Sequence, residues 1–204
     1  GRYGVTKVFT DFEAMLQQVK PDVVHVLTPP SSHLALTRAA VAAGCDVLVE
    51  KPMALRVEQA QAMVQAARQA GRRLGVCHNY LFVPAFVKAR RLIDAGAIGQ
   101  VLSADLYWRM STNSEAHRPE AQAWMATLPC GTFGEVLPHL LYLLRAVLGD
   151  MRPLAVSTDA ETGANGGEQA ANELQVLLRG EHGPGSLAVS LRSRPVRKML
   201  RVHG

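Results

Sequence analysis

Between residues 11 and 99 two hydrophobic patterns alternate along the chain. Short apolar runs, Val23-Val24-His25-Val26-Leu27, Val47-Leu48-Val49 and Leu74-Gly75-Val76-Cys77, have the composition of parallel strands buried on both faces. Longer segments with helical spacing separate them. Asp11 is a good N-cap for a helix that ends at Val19 before Pro21-Asp22. Ser31 or Ser32 can cap a helix whose apolar positions, Leu34, Leu36, Ala39, Ala40 and Ala43, lead to Gly44. Further helices are expected over about 57–70, closed by Gly71, and about 83–95, closed by Gly96. Strands separated by helices of this length predict βαβ units and a doubly wound parallel sheet.

The rhythm changes after Gly99. From Val101 to Met110 the residues alternate, with Leu102, Ala104, Leu106, Trp108 and Met110 on one face and Val101, Ser103, Asp105, Tyr107 and Arg109 on the other. That is a half-exposed strand, the kind found in antiparallel sheets. The two-residue period returns at Leu174, Val176 and Leu178 and at Leu187, Val189 and Leu191, and one long helix is expected from about Phe133 to Leu148. The pattern therefore predicts an α/β domain over 1–98 followed by an α+β domain over 99–204, mainly antiparallel.

Composition narrows the function classes. The chain has 204 residues, 48% of them hydrophobic and 19% charged, as in an ordinary globular protein. No apolar run reaches the roughly 18 residues that cross a bilayer, so no membrane partner is expected. The net charge of +5 comes from dispersed Lys and Arg, and aromatic residues are too few to stack bases, which argues against nucleic acid. Cys45, Cys77 and Cys130 match no zinc spacing, so no metal is expected; an odd number of thiols points to a reducing, cytoplasmic setting. The chain opens Gly1-Arg2-Tyr3-Gly4-Val5, like the end of a helix and its glycine cap, and reads as a fragment.

Candidate chemistry gathers where the three predicted parallel strands end. Thr28-Pro29-Pro30-Ser31-Ser32-His33 follows the first, Glu50-Lys51-Pro52 the second and His78-Asn79-Tyr80 the third. Ligands of open parallel sheets bind outside the carboxyl ends of the strands, where loops and helix N-termini converge. A second group lies in the later helix, where Glu135 and His139 stand four residues apart and share a face. Read alone, that group is more simply an acidic helix N-terminus with a satisfied core histidine.

In this order the motifs resemble the glucose–fructose oxidoreductase, inositol dehydrogenase and MocA (Gfo/Idh/MocA) family. The resemblance runs through Tyr3-Gly4-Val5, Phe9-Thr10-Asp11, Asp22-Val23-Val24, Thr28-Pro29-Pro30 with His33, Ala43-Gly44, Val47-Leu48-Val49-Glu50-Lys51-Pro52, His78-Asn79 with Phe82 and Pro84, and Gly96-Ala97-Ile98-Gly99. It implies a Rossmann domain followed by an α+β domain with an open-faced, mainly antiparallel sheet, and NAD or NADP as cofactor. It places Thr28, Pro29, Pro30 and His33 along the dinucleotide, Glu50, Lys51 and Asn79 around the nicotinamide, and a cis bond at Lys51-Pro52. It makes His139 catalytic and sets Glu135, His139 and Trp124 near a sugar, inositol or other polyol substrate; an imidazole suits acid/base work near neutrality, so His139 is assigned that role and Lys51 the orienting of the reacting oxygen, with proton relay by Lys51 itself as the alternative. Cys130 and Glu135 stand where the family usually has Gly and Asp.

The glycine-rich G-x-G-x-x-G fingerprint, which the family carries on its first strand, does not occur in the chain, and Leu200-Arg201-Val202-His203-Gly204 resembles a strand entering a family turn. The expectation is therefore a member truncated at both ends, poorly soluble and without dinucleotide affinity by itself, from a protein that forms a homodimer or homotetramer when full length. An NAD-dependent glycosidase and a non-catalytic cofactor-binding relative are the alternative readings.

Overall fold

The computed structural model describes residues 4–111, 128–159 and 171–204, and the chain divides into two compact units, Gly1–Cys77 and His78–Gly204. In the first unit, α1 (Phe12–Val19), β1 (Val23–Val26), α2 (His33–Ala42), β2 (Asp46–Val49), α3 (Val57–Gln69) and β3 (Leu74–Val76) follow in order. The Asp11 carboxylate accepts the Ala14 N–H at 2.8 Å, so the expected cap opens α1. Gly44 follows α2 at φ +87°, a conformation that β-carbon sterics deny to most residues and that ends the helix.

The three strands pair in parallel in the order β1-β2-β3, with Val24 opposite Val47 and Val49 opposite Val76. Leu16, Val24, Val26, Val41, Val47, Val49, Met63 and Ala67 form one buried cluster, which puts all three helices on the same side of the sheet. The strands were expected to be buried on both faces, and here the structure differs. Val23 and His25 of β1 point away from the helices and are exposed, so a continuous apolar run is covered on one face only.

The second unit contains α4 (Pro84–Asp94), β4 (Ser103–Ser111), α5 (Thr132–Leu148), β5 (Met151–Asp159), β6 (Glu173–Gly180), β7 (Gly183–Ser190) and β8 (Arg192–His203). Its sheet has the order β5-β6-β7-β4-β8; β4 and β7 are parallel and every other pair is antiparallel. The alternation read from β4 is realised, because Ala104, Leu106 and Trp108 are buried while Arg109 is exposed. Leu102, expected in the same stripe, precedes the strand and is exposed. Patterning does not mark β5, whose side chains are nearly all exposed.

Helix α5 covers the sheet with Val136, Leu140, Leu143, Leu144, Val147 and Leu148, against Leu174, Leu178, Leu187 and Val189. Phe86 and Ile93 of α4 pack on the same core. The opposite face of the sheet carries the row Ala155, Leu177, Ser186, Asp105 and Arg201. Pro138 removes one N–H from α5, yet the helix continues to Leu148. Among the described residues no helix is long and apolar enough to cross a membrane.

Burial sets the expected cost of truncation. Leu144 is fully buried in the centre of this core, and Leu144→Ala should lower the unfolding free energy by about 3 kcal/mol. Leu177 is 56% exposed on the other face, and Leu177→Ala should change it by no more than about 0.5 kcal/mol. Denaturant titration of the two variants beside the parent checks both values.

Candidate active site

In the first unit the loops after β1 and β2 are tied together by one buried histidine. His33, the first residue of α2, is 0% exposed. Its Nε2 lies 2.8 Å from the Thr28 carbonyl oxygen and its Nδ1 3.0 Å from that of Met53. A neutral ring donates to one of these oxygens and an imidazolium to both; either way the ring spans the two loops. Thr28 also shares a 2.6 Å hydrogen bond with the Ser32 hydroxyl, and the Pro29 carbonyl accepts from that hydroxyl at 2.9 Å. Pro30 is buried at the start of a 3-10 turn, Pro30–Ser32. His33 thus shapes the loop from within, while Thr28 and Pro29 are exposed on it.

Glu50 and Lys51 follow β2 at the same edge of the sheet. The Lys51–Pro52 bond is cis, and the Lys51 N–H donates to its neighbour's carboxylate, Glu50 Oε2, at 3.2 Å. Sheet register draws in two residues that spacing along the chain does not connect. The ligand atoms of His25, Glu50 and Cys77 lie within 4.8 Å of one another, with Glu50 Oε1 3.8 Å from His25 Nε2. Such a trio has the donor types of a metal site. Burial pushes the Cys77 thiol up, and its hydrogen bond to Glu50 and that carboxylate's charge push it further. The thiol therefore keeps its proton and shares it in a hydrogen bond with the Glu50 carboxylate.

The second unit contains a cluster of rings around His139, which is 8% exposed. Three residues further along α5, on the same face, the hydroxyl of the buried Tyr142 lies 2.7 Å from His139 Nδ1. That hydroxyl donates to Asn79 Oδ1 at 3.1 Å and accepts the Tyr80 N–H at 3.1 Å. His78 stacks on the Tyr142 ring at 4.3 Å, Tyr80 meets the His139 ring edge-on at 4.8 Å, and Trp108 lies parallel to His139 at 6.1 Å. Lys198 Nζ sits 3.8 Å above the Trp108 ring and donates to the Tyr80 hydroxyl at 2.8 Å.

The expected site residues therefore fall into two sets. Thr28, Pro29, Pro30, His33, Glu50 and Lys51 are at one edge of the first unit's sheet, and Asn79, Glu135 and His139 are in the second unit. Glu135 is in the first turn of α5, four residues before His139. Trp124 lies outside the described residues. The pattern did not point to Tyr142, Trp108 or Lys198. Tyr142 had a signal, three positions from His139 on one helix; the other two come from distant strands.

Burial pulls the His78 imidazole below its ordinary value of 6.5. As pH falls through that value the unfolded chain takes up a proton before the folded one does, so the stability held by neutral His78 is present above it and lost below it. His78→Phe, which keeps a ring against Tyr142, should flatten the fall in Tm between about pH 7 and about pH 5. Thermal melts at a series of pH values check this.

Known proteins carry the same two parts in the same order. Residues 2–78 match the family described as an oxidoreductase family with an NAD-binding Rossmann fold, and residues 86–204 match the GFO/IDH/MocA C-terminal domain. D-apiose dehydrogenase of Paraburkholderia graminis is 31% identical over 97% of this chain and 51% of its own length. 1,5-Anhydro-D-fructose reductase of Ensifer adhaerens is 34% identical over 81% of this chain and 50% of its own. An NAD binding oxidoreductase from Klebsiella pneumoniae superposes on the whole chain with a TM-score of 0.81 at 26% identity, which covers 57% of that structure. The chain spans about half the length of the curated relatives it matches. Both halves of the chain, matched in sequence order, place it in the Gfo/Idh/MocA oxidoreductase family.

Proposed function

We propose that the full-length protein containing this chain transfers hydride between NAD or NADP and a hydroxyl-bearing carbon of a sugar, inositol or related polyol. The observation that carries this reading is a buried histidine whose Nδ1 is engaged by a phenol, a pairing suited to moving one proton. The sugar-active names of the relatives support the substrate class.

The residues present suit the nicotinamide end of a dinucleotide, because two polar loops are held side by side at the carboxyl edge of a parallel sheet. When bound, the nicotinamide supplies the hydride acceptor or donor. Thr28, Pro29 and Pro30 line that edge, and His33 holds their loop in shape. Glu50 and Asn79 offer polar contacts to the nicotinamide end. Lys51 orients the reacting oxygen, and His139 takes its proton in oxidation and returns it in reduction. Glu135 and Trp124 are assigned to the substrate.

The free thiols of Cys45, Cys77 and Cys130 favour a reducing, cytoplasmic setting. The uncovered sheet face of the second unit, with Leu177 exposed, favours self-association into a homodimer or homotetramer.

Lys51→Met and His139→Ala in the full-length protein should each lower kcat by about 100-fold or more. Nicotinamide absorbance on a panel of sugars and polyols measures this. Near-parental turnover by either variant would overturn the assignment. Release of a leaving group with no net absorbance change would favour the glycosidase reading instead, and bound cofactor without turnover the non-catalytic one.

A further inference from the structure

We propose that His25, Glu50 and Cys77 form a binding site for zinc, which ties together the carboxyl ends of the three parallel strands. All three ligands belong to the first unit, and zinc uptake does not depend on the reaction proposed above.

Strand register brings the three side chains together. Val24, Val26, Val47 and Val49 are buried toward the helices, so the residues between them project from the opposite face. On that face His25 pairs with Leu48, and Leu48 with Gly75. Glu50 and Cys77 come two positions further along, where the ladder still holds them. The Glu50 N–H donates to the Val26 carbonyl at 3.0 Å, and the Cys77 N–H to the Val49 carbonyl at 2.8 Å. Gly75 has no side chain to crowd the space beside them. The ligands come from the ends of three different strands, which is why the chain shows no zinc spacing.

The donor set and its geometry fit that ion. Zinc takes imidazole nitrogen, carboxylate oxygen and thiolate sulfur at about 2.0–2.3 Å, which puts the ligand atoms of a tetrahedral site about 3.3–3.7 Å apart. Here Glu50 Oε1 lies 3.8 Å from His25 Nε2, and the three ligand atoms are all within 4.8 Å of one another. The His25 side chain is 40% exposed and that of Glu50 31%, so side-chain rotation closes the remaining gap of about 1 Å. Glu50 Oε2 keeps the Lys51 N–H while Oε1 meets the ion. The ion takes the place of the Cys77 thiol proton, which leaves to solvent. Three protein ligands leave the fourth position to water. Calcium and magnesium prefer oxygen donors alone, so a nitrogen and a sulfur select against them. Among the described residues no second group of three such side chains comes together.

The test uses the full-length protein, freed of metal by dialysis against a chelator and titrated with cobalt(II) chloride as a coloured stand-in for zinc. The expected result is one cobalt per chain, with the near-ultraviolet charge-transfer band of a cobalt–thiolate bond, and loss of that band when zinc chloride is added. Losing even a residue that only supports a metal ligand costs about 10–100-fold in affinity. Cys77→Ser should therefore abolish the band and weaken zinc binding, read with a zinc-sensitive dye, by about 100-fold or more. His25→Gln, at an exposed strand position, should weaken it by about tenfold or more while keeping the fold. Cys130→Ser should retain both the band and the affinity. A parent with no cobalt–thiolate band would overturn the site, as would a band that zinc does not displace or that survives in Cys77→Ser. Should Cys77→Ser fail to fold, His25→Gln decides: unchanged zinc affinity in that variant sinks the proposal. No substrate or cofactor is present in these titrations, so their failure leaves the hydride-transfer reading standing.

Discussion

A buried phenol hydroxyl must find partners, and in the second unit that requirement ties two separate segments together. Tyr142 lies on the core face of α5, where leaving its hydroxyl without a hydrogen bond would cost about 1–3 kcal/mol. Its partners come from its own helix, from the backbone of Tyr80 and from the side chain of Asn79. The 3-10 turn at Asn79–Phe82 is thereby held against α5, and the imidazole of His139 gains a fixed orientation from the same interaction. Packing and chemistry meet in one oxygen atom.

Around that oxygen the rings form an enclosure with a charged rim. Lys198 reaches from β8 over Trp108 and donates to Tyr80. At an exposed site such a cation–π contact contributes about 0.5–1 kcal/mol, so its larger effect is geometric, fixing the two rings that flank His139. Among the described residues the buried Trp108 indole N–H has no hydrogen-bond partner.

In the first unit the equivalent organising element is His33. A parallel sheet delivers its loops to one edge but does not decide their shape. One imidazole spanning the carbonyls of Thr28 and Met53 does, and it leaves Glu50 and Lys51 at the end of β2 to follow the sheet. The same edge gathers His25, Glu50 and Cys77, where Glu50 meets both a histidine and a thiol. Each of these contacts joins residues at least 20 positions apart except His33 with Thr28, so the edge is built by strand pairing and not by local sequence.

The sequence by itself determined the succession of elements and the chemistry each strand end could offer. Helical spacing and the Asp11 and Gly44 punctuation follow from local sterics and capping, and alternation through β4 follows from which side chains avoid water. The motifs Glu50-Lys51-Pro52 and Glu135 to His139 were legible because both are contiguous or fall within one helical turn. Tertiary structure decided what no window of residues contains: which face of β1 is covered, that β5 joins the sheet with few buried side chains, that Tyr80 and Trp108 flank His139, and that Asn79 meets Tyr142 and Lys198 meets Trp108. The physical reason is range. Capping and periodicity act within a few residues, whereas a buried hydroxyl or an uncovered sheet face is settled by whatever distant segment packs against it.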